Sequence, residues 1–511
     1  MKAKKIVAAA LLAALAIGAS GCASPGQGDG DGDLQTTAFP ISSYDETLAV
    51  TMGDVMPFYD DGVMNIYHLQ NSRGSQSMFY HPISRLTTTD YVHYKDEGIA
   101  INYEEEFSSP DAAIGTGSFI KDENGLYHCF YTGHNAEEGT GLPYIEVVRH
   151  ATSPDQVTWT KDEEFNLYGT SNDFRDPYVY YDGYDECYYM LVTTNENGSG
   201  VIKRYSSDTL SADDSGWADR GVFFANDGGT YNMECPSYVE YNGYWYLAYS
   251  EQGENRVTHY RYRTEHDGEW KKFERDSIDA SGFYAGQLEL AGDKLYAFAW
   301  CATLTGGSVG DFDWGGNLVA HEIKQMSDGE LCATLVSDVE EIISSPADYA
   351  LSDGKQAENL DFGPDKFSSV AFAELPANTV RMNFDVTLTG YSGDCGLTFG
   401  LREGMGNRLG NAVIAFEPEN NRIVCYNDVS SIVRYGSVLA EIPFAYMSGR
   451  TYGVDVLISG EIVTVYFDGS VALTLRIPDM ENNFFAFYSN GAQSPSVLIR
   501  MSAYFCLLSP C

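Results

Sequence analysis

The sequence predicts an all-β protein: a five-bladed β-propeller followed by a C-terminal antiparallel β-sandwich. Three observations predict it. The 511 residues include 37 Tyr and 51 Gly, and few stretches carry a long helical pattern, a balance that favours strands and turns. One short segment, a turn with Gly or Asp followed by alternating aromatic and aliphatic residues, recurs along the first three-fifths of the chain. Beyond Ile343 the pattern changes to shorter alternating runs split by Gly, Asn and Asp turns.

The recurring segment has five copies: Gly62–Tyr67, Gly125–Tyr131, Asp185–Leu191, Gly243–Tyr249 and Asp293–Trp300. Their spacing of roughly 50 to 60 residues suits propeller blades of four strands each. The predicted propeller spans 44–345. A Ser/Pro/Ala/Asp-rich connector at 346–360 leads to the sandwich at 361–511. Its strands are read from Val380–Leu388, Ala412–Phe416, Tyr452–Ile458 and Val463–Phe467, the last followed by the turn Asp468-Gly469. An array of sandwiches would account for the repeat alone, but not for the phase of the acids described below.

The N-terminus carries Lys2, Lys4 and Lys5, then an apolar stretch, Ile6–Ile17, too short to span a bilayer as a helix. It ends in Ala19-Ser20-Gly21-Cys22, a signal-peptide layout that resembles a bacterial lipobox with Cys22 as the lipidated residue. An ordinary secretory signal carrying a Cys is the other reading. Residues 23–43, which include the run Gly26–Asp33, have the composition of a flexible tether. The expected location is the outer face of a bacterial membrane. Asp29, Asp31 and Asp33 have the opening spacing of a calcium loop but lack its Gly and closing Glu. No metal or cofactor is expected; the 9 His are dispersed and form no HExxH pair.

A formal net charge of -42 excludes nucleic acid as a partner and suits a neutral ligand such as an oligo- or polysaccharide. Of 10 Cys, those other than Cys22 are scattered singly and number nine, so they do not all pair within the chain. Most are expected in cores as small hydrophobes. Cys506 with Cys511 is a candidate pair that no pattern in the sequence supports.

About a dozen residues upstream of three aromatic strands lies an acid with a Pro shortly after it: Asp54, Asp176 and Glu234. The first strand of each blade lines a propeller's channel, so equal phase places the three carboxylates at one mouth. Converging carboxylates suit glycosidic chemistry, in which one attacks or activates water and another protonates the leaving oxygen. Taken singly, each acid reads as a turn or strand-start residue. At the same phase, repeat two has Thr116 and Ser118 and repeat five has Gln287, polar groups suited to sugar hydroxyls. Trp300 and Trp314 are candidates for stacking on a sugar face or for the core.

Arg175-Asp176-Pro177 and Glu234-Cys235-Pro236 resemble the two best-known internal motifs of glycoside hydrolase family 32. Gly117-Ser118, Ala151–Asp155 with Trp159, and Asp313–Asn317 are similar to further family segments, and a propeller followed by a sandwich is the family's order. The resemblance implies a β-fructosidase, levanase, inulinase or invertase-like activity. It implies Asp54 as nucleophile, Glu234 as general acid and base, and Asp176 as transition-state stabiliser, with Arg175 a charged donor beside it. It also implies a retaining mechanism, with Asp54 and Glu234 about 5 to 5.5 Å apart. The sequence departs from the family at its first motif, usually Trp-Met-Asn-Asp-Pro-Asn-Gly. Here Asp54 stands in Val50–Pro57, the Trp and both Asn are absent, the following loop is one residue shorter, and Leu69 takes the place of a usual Gln. Other readings of the same residues are an inverting propeller hydrolase acting on arabinan or xylan, a fructosyltransferase, and a non-catalytic glycan-binding surface lipoprotein.

Overall fold

In the computed structural model the described residues are 34–44, 49–71, 81–211, 213–225, 230–253, 256–304, 312–344, 360–361, 368–371, 379–388, 390–401, 412–427, 437–477, 484–490 and 496–504. The signal segment 1–22 with Cys22, the tether as far as residue 33, nearly all of the connector and the Cys506/Cys511 pair lie outside them. Cys129, Cys187, Cys235, Cys301, Cys332, Cys395 and Cys425 are free, and all but Cys187 are buried.

The N-terminal part pairs as consecutive antiparallel meanders. The first is Ala49–Asp60, Val63–Asn71, Ile83–Thr88 and His93–Ile101. The second begins with Ala113–Lys121 and Tyr127–His134, and the third with Phe174–Asp182 and Cys187–Glu196. A fourth starts at Met233–Tyr241 and Tyr244–Glu251, and a fifth at Tyr284–Ala291 and Lys294–Leu304. The five aromatic repeats in the sequence are therefore the second strands. Their alternation arises because they are sandwiched between meanders, with Tyr67, Tyr131, Tyr246, Tyr249 and Trp300 fully buried. First and fifth meanders join into one sheet through the pair Gly316↔Met52. Tight turns such as Asp61-Gly62 and Asn242-Gly243 connect first to second strands; both residues of each have positive φ, the two-residue geometry that matches strand twist.

The first strands neighbour one another in a closed ring, and each is tied to the next by a backbone N–H donating to a side chain. Gly117 N donates to Met56 Sδ (3.1 Å), Val179 N to Ser118 Oγ (2.9 Å) and Cys235 N to Asp176 Oδ2 (3.0 Å). Leu288 N donates to Ser237 Oγ (2.9 Å), and Tyr59 N to Glu289 Oε1 (2.8 Å), which returns to the first meander. Apolar clusters fill the spaces between. Met56, Tyr67, Ile114 and Phe119 pack between the first and second meanders. Phe130, Phe174, Val179 and Met190 pack between the second and third, and Leu191, Met233, Tyr238 and Leu247 between the third and fourth. Burying each such side chain contributes about 1.5–3 kcal/mol.

Residues 34–43, expected as the end of the tether, belong to the folded body. Leu34–Thr36 pairs with His93–Lys95, while Ala38, Phe39 and Ile41 are buried and Leu318 N donates to Pro40 O. The Gly/Asp composition that defines the tether stops at Asp33, and the apolar residues after it have a core to enter.

The C-terminal part forms two six-stranded sheets facing each other. Val380, Met382, Phe384 and Val454 of one meet Leu397, Ile414, Phe416 and Phe487 of the other in a single core. A buried polar junction ties this sandwich to the fifth meander. Asp279 Oδ2 bonds His321 Nε2 at 2.9 Å, His321 Nδ1 meets Tyr466 Oη at 3.1 Å, and Asp279 Oδ1 accepts from Thr474 N at 2.9 Å. Arg476 Nε donates to Ala302 O at 2.7 Å. Replacing Asp279 with Ala strands the Thr474 N–H and His321 in an apolar interior. The expected cost is about 3 kcal/mol, read as a lower denaturation midpoint; an unchanged midpoint would show that the junction does not hold the two parts together.

Candidate active site

Every first strand breaks its register at the same level, between Gly53 and Val55, Gly115 and Gly117, Arg175 and Tyr178, Glu234 and Ser237, and Tyr284 and Gln287. A bulge re-aims the residue it carries, and here five of them face one channel mouth. In the third, fourth and fifth meanders the bulge opens with a left-handed residue: Asp176 (φ 56°), Cys235 (φ 53°) and Ala285 (φ 55°). For residues with a Cβ this conformation costs on the order of 1 kcal/mol, strain of the kind that gathers at functional sites.

The bulges correct the reading of phase. Asp176 corresponds to Cys235, not to Glu234; the counterpart of Glu234 is Arg175, each being the last paired residue before the break. In the fifth meander that position belongs to Tyr284, paired with Trp300. One-residue offset brings acid and base together, because Glu234 Oε1 then accepts from Arg175 Nη2 at 2.9 Å. Arg175 is further held by Glu146 (3.3 Å) and Asp173 (3.2 Å).

Both carboxylates expected to do chemistry are gripped by one cross-strand aromatic pair. Trp300 Nε1 donates to Asp54 Oδ1 at 3.0 Å, and Tyr284 Oη donates to Glu234 Oε2 at 2.5 Å. The two rings meet edge to face, 5.5 Å between centroids. Thr116 Oγ1 donates to the other oxygen of Asp54 at 2.7 Å. Thr132 Oγ1 donates to Thr116 O and accepts from Asp176 N, linking Thr116 to the backbone of Asp176. Gly53, beside Asp54, has no room for a side chain: a Cβ there would lie 2.2 Å from the Trp314 ring.

Thr116, Ser118, Gln287 and Trp300, expected to meet sugar hydroxyls or a sugar face, are 1%, 4%, 2% and 0% exposed. Thr116 and Trp300 position Asp54, and Ser118 closes the ring between second and third meanders. Gln287 lies beyond its bulge, paired with Phe298. Trp314 packs on His81 and Trp300. Tyr284 escaped the sequence reading, although Tyr284-Ala285-Gly286 aligned under Glu234-Cys235-Pro236 would have found it.

Burial is the main force on Asp54 and Asp176. It lifts the Asp54 carboxyl above its usual range, with the charge of Glu234 adding to it and the Thr116 and Trp300 hydrogen bonds opposing it. Asp176 is pushed up to about 8 by burial and by the charges of Glu234 and Asp54, against the pull of Arg175. Among the described residues one group has metal-ligand geometry, Asp182, Asp185 and His266, at the end of the strand Phe174–Asp182 opposite Arg175. No helix among them is long and apolar enough to cross a membrane.

A propeller with a carboxylate triad at one mouth and a sandwich behind it defines a class of glycoside-processing proteins. The sequence profile of the glycosyl hydrolases family 32 N-terminal domain matches residues 56–322, and the chain belongs to that family. The match takes in Asp176 and Glu234 and begins just after Asp54. A levanbiose-producing levanase of Bacillus subtilis (strain 168) is 27% identical over 285 residues, covering 48% of this chain and 49% of that one. The chain thus spans about half the length of that relative. A sucrose-6-phosphate hydrolase of Escherichia coli is 31% identical over 183 residues, 35% of this chain and 36% of that one. An exo-inulinase of Aspergillus awamori shares the fold, with a TM-score of 0.68 at 15% identity over 88% of this chain and 95% of that chain.

Asp176 makes stability depend on pH. Its folded value lies above the unfolded one, so its contribution is full below about pH 4 and is lost as pH rises through about 8. Asp176→Asn does not titrate. Its stability relative to the parent is expected to rise by on the order of 3 kcal/mol between pH 5 and pH 9, measured as thermal midpoints. A flat difference across that range would refute the raised value.

Proposed function

We propose that this protein hydrolyses β-fructofuranosidic bonds, in fructans such as levan or inulin or in sucrose-type oligosaccharides, by a retaining double displacement. The observation that carries the reading is the grip of one aromatic pair, Tyr284 and Trp300, on Glu234 and Asp54. Asp54 is the nucleophile. Hydrogen bonds to both of its oxygens orient the carboxylate and favour its ionised form against burial. Glu234 gives a proton to the departing oxygen and takes one from the incoming water. Asp176 lies beside them, and positive charge developing on the sugar favours its ionised form, which stabilises that charge in return. Arg175 holds Glu234 in place.

The test is sugar release by the purified protein from levan, inulin, sucrose, arabinan and xylan, with Glu234→Gln and Asp54→Asn alongside. Fructose or fructo-oligosaccharides are expected, with kcat lowered about 1,000-fold or more in either variant. The anomer first formed, read by NMR, should keep the configuration of the substrate. Arabinose or xylose with inverted configuration would transfer the protein to the inverting propeller hydrolases.

We also infer export and lipid anchoring through Cys22, supported by the basic head, short apolar stretch and Ala-Ser-Gly-Cys ending. Cys22→Ser is expected to move the protein from the detergent phase to the aqueous phase on partitioning; equal partitioning of both forms would remove the anchor.

A further inference from the structure

Arg256 precedes the strand Thr258–Arg263 in the fourth meander, the one that carries Glu234. Its guanidinium carbon lies 4.9 Å from the centre of the Tyr284 ring, 5.1 Å from Trp300 and 5.8 Å from Phe312. Two of those rings are the donors to Glu234 and Asp54. Arg256 is half-buried, yet no carboxylate among the described residues pairs with it and no acceptor among them takes its hydrogens. Arg175, the other guanidinium of the site, meets Glu146, Asp173 and Glu234. In a chain with 73 acids against 31 Lys and Arg, a half-buried cation that pairs with no acid among the described residues stands out. Stacking engages the faces of a guanidinium and leaves its N–H donors at the edge, in a planar fork. Partly desolvated donors are costly unless an acceptor arrives.

We propose that Arg256 is a substrate-contact residue that donates to hydroxyl oxygens of the leaving sugar unit. The proposal rests on the fructoside-hydrolase reading above. Glu234 must reach the bridging oxygen, so the leaving unit passes on its side of the site. Arg256 comes from the same meander and lies nearest to Tyr284, which holds Glu234. Neighbouring hydroxyls of a sugar match the spacing of the guanidinium fork. A neutral unit fits better than an anionic one, because Asp54, Asp176 and Glu234 crowd the same mouth and the chain carries a net charge of -42. Arg256 takes no part in making or breaking bonds.

Arg256→Met keeps a long apolar stem against the three rings and removes every donor, whereas Arg256→Lys keeps the charge and a smaller donor head. Steady-state kinetics on sucrose, an inulin-type oligofructoside and sucrose 6-phosphate are measured for the parent and both variants, with thermal midpoints. In Arg256→Met, KM for the two neutral substrates is expected to rise tenfold or more with kcat within threefold, the pattern of lost uniform binding; Arg256→Lys recovers part of the loss. Unchanged KM, or a fall in kcat at constant KM, would overturn the contact and leave Arg256 a brace for the rings. A loss confined to sucrose 6-phosphate would overturn the neutral-sugar assignment. If the Met variant does not fold, Arg256→Lys alone decides, since a contact role requires its KM to exceed that of the parent. A parent that cleaves none of the three substrates removes the fructoside reading and this proposal together; an active parent with indistinguishable variants removes the proposal alone.

Discussion

The closed ring of first strands is the constraint on which the rest depends. Each strand accepts a hydrogen bond from a backbone N–H of the next, through the side chains of Met56, Ser118, Asp176, Ser237 and Glu289 in turn. A ring fixes distance and angle between strands far apart in sequence. It therefore brings residues from the first, third and fourth meanders to one place without any of them being neighbours along the chain. Asp176 serves both purposes, closing the ring through Cys235 N and supplying a carboxylate to the site. Met56, Ser118 and Ser237 close it elsewhere with neutral groups, and Glu289 with a carboxyl that burial pushes up to about 8.

The site itself is held by matched pairs. Trp300 and Tyr284 face each other across two strands of the fifth meander, and their polar ends reach different carboxylates. Any shift of that meander moves Asp54 and Glu234 together, which preserves their relation. The sandwich reaches the same strand, since Arg476 bonds the carbonyl of Ala302, two residues beyond Trp300. A brace of this kind gives the C-terminal sheets a physical part in the site without a side chain in it.

Burial and hydrogen bonding or ion pairing pull in opposite directions on Asp54 and Asp176. An enclosed mouth raises their proton affinity, and Thr116, Trp300 and Arg175 lower it again. The balance leaves two carboxylates whose ionisation responds strongly to a positive charge nearby.

The sequence by itself determined the strands, the order of propeller and sandwich, and the three acids, because alternation and short motifs are local. Gly125–Tyr131 alternates wherever it is placed, and Arg175-Asp176-Pro177 and Glu234-Cys235-Pro236 are legible as tripeptides. Tertiary structure decided what those residues touch. Asp176 and Glu234 differ by one position about their bulges, so equal spacing from a Pro did not mean equal place in the ring. Trp300 and Thr116 read as sugar contacts until the fold turned their donors toward Asp54. Tyr284 is marked only by its alignment with Glu234 at the bulge, and Arg256 by no motif at all. The grip on the carboxylates arises from long-range packing, Tyr284 across 50 positions to Glu234 and Trp300 across 246 to Asp54, and no local pattern encodes a contact of that range.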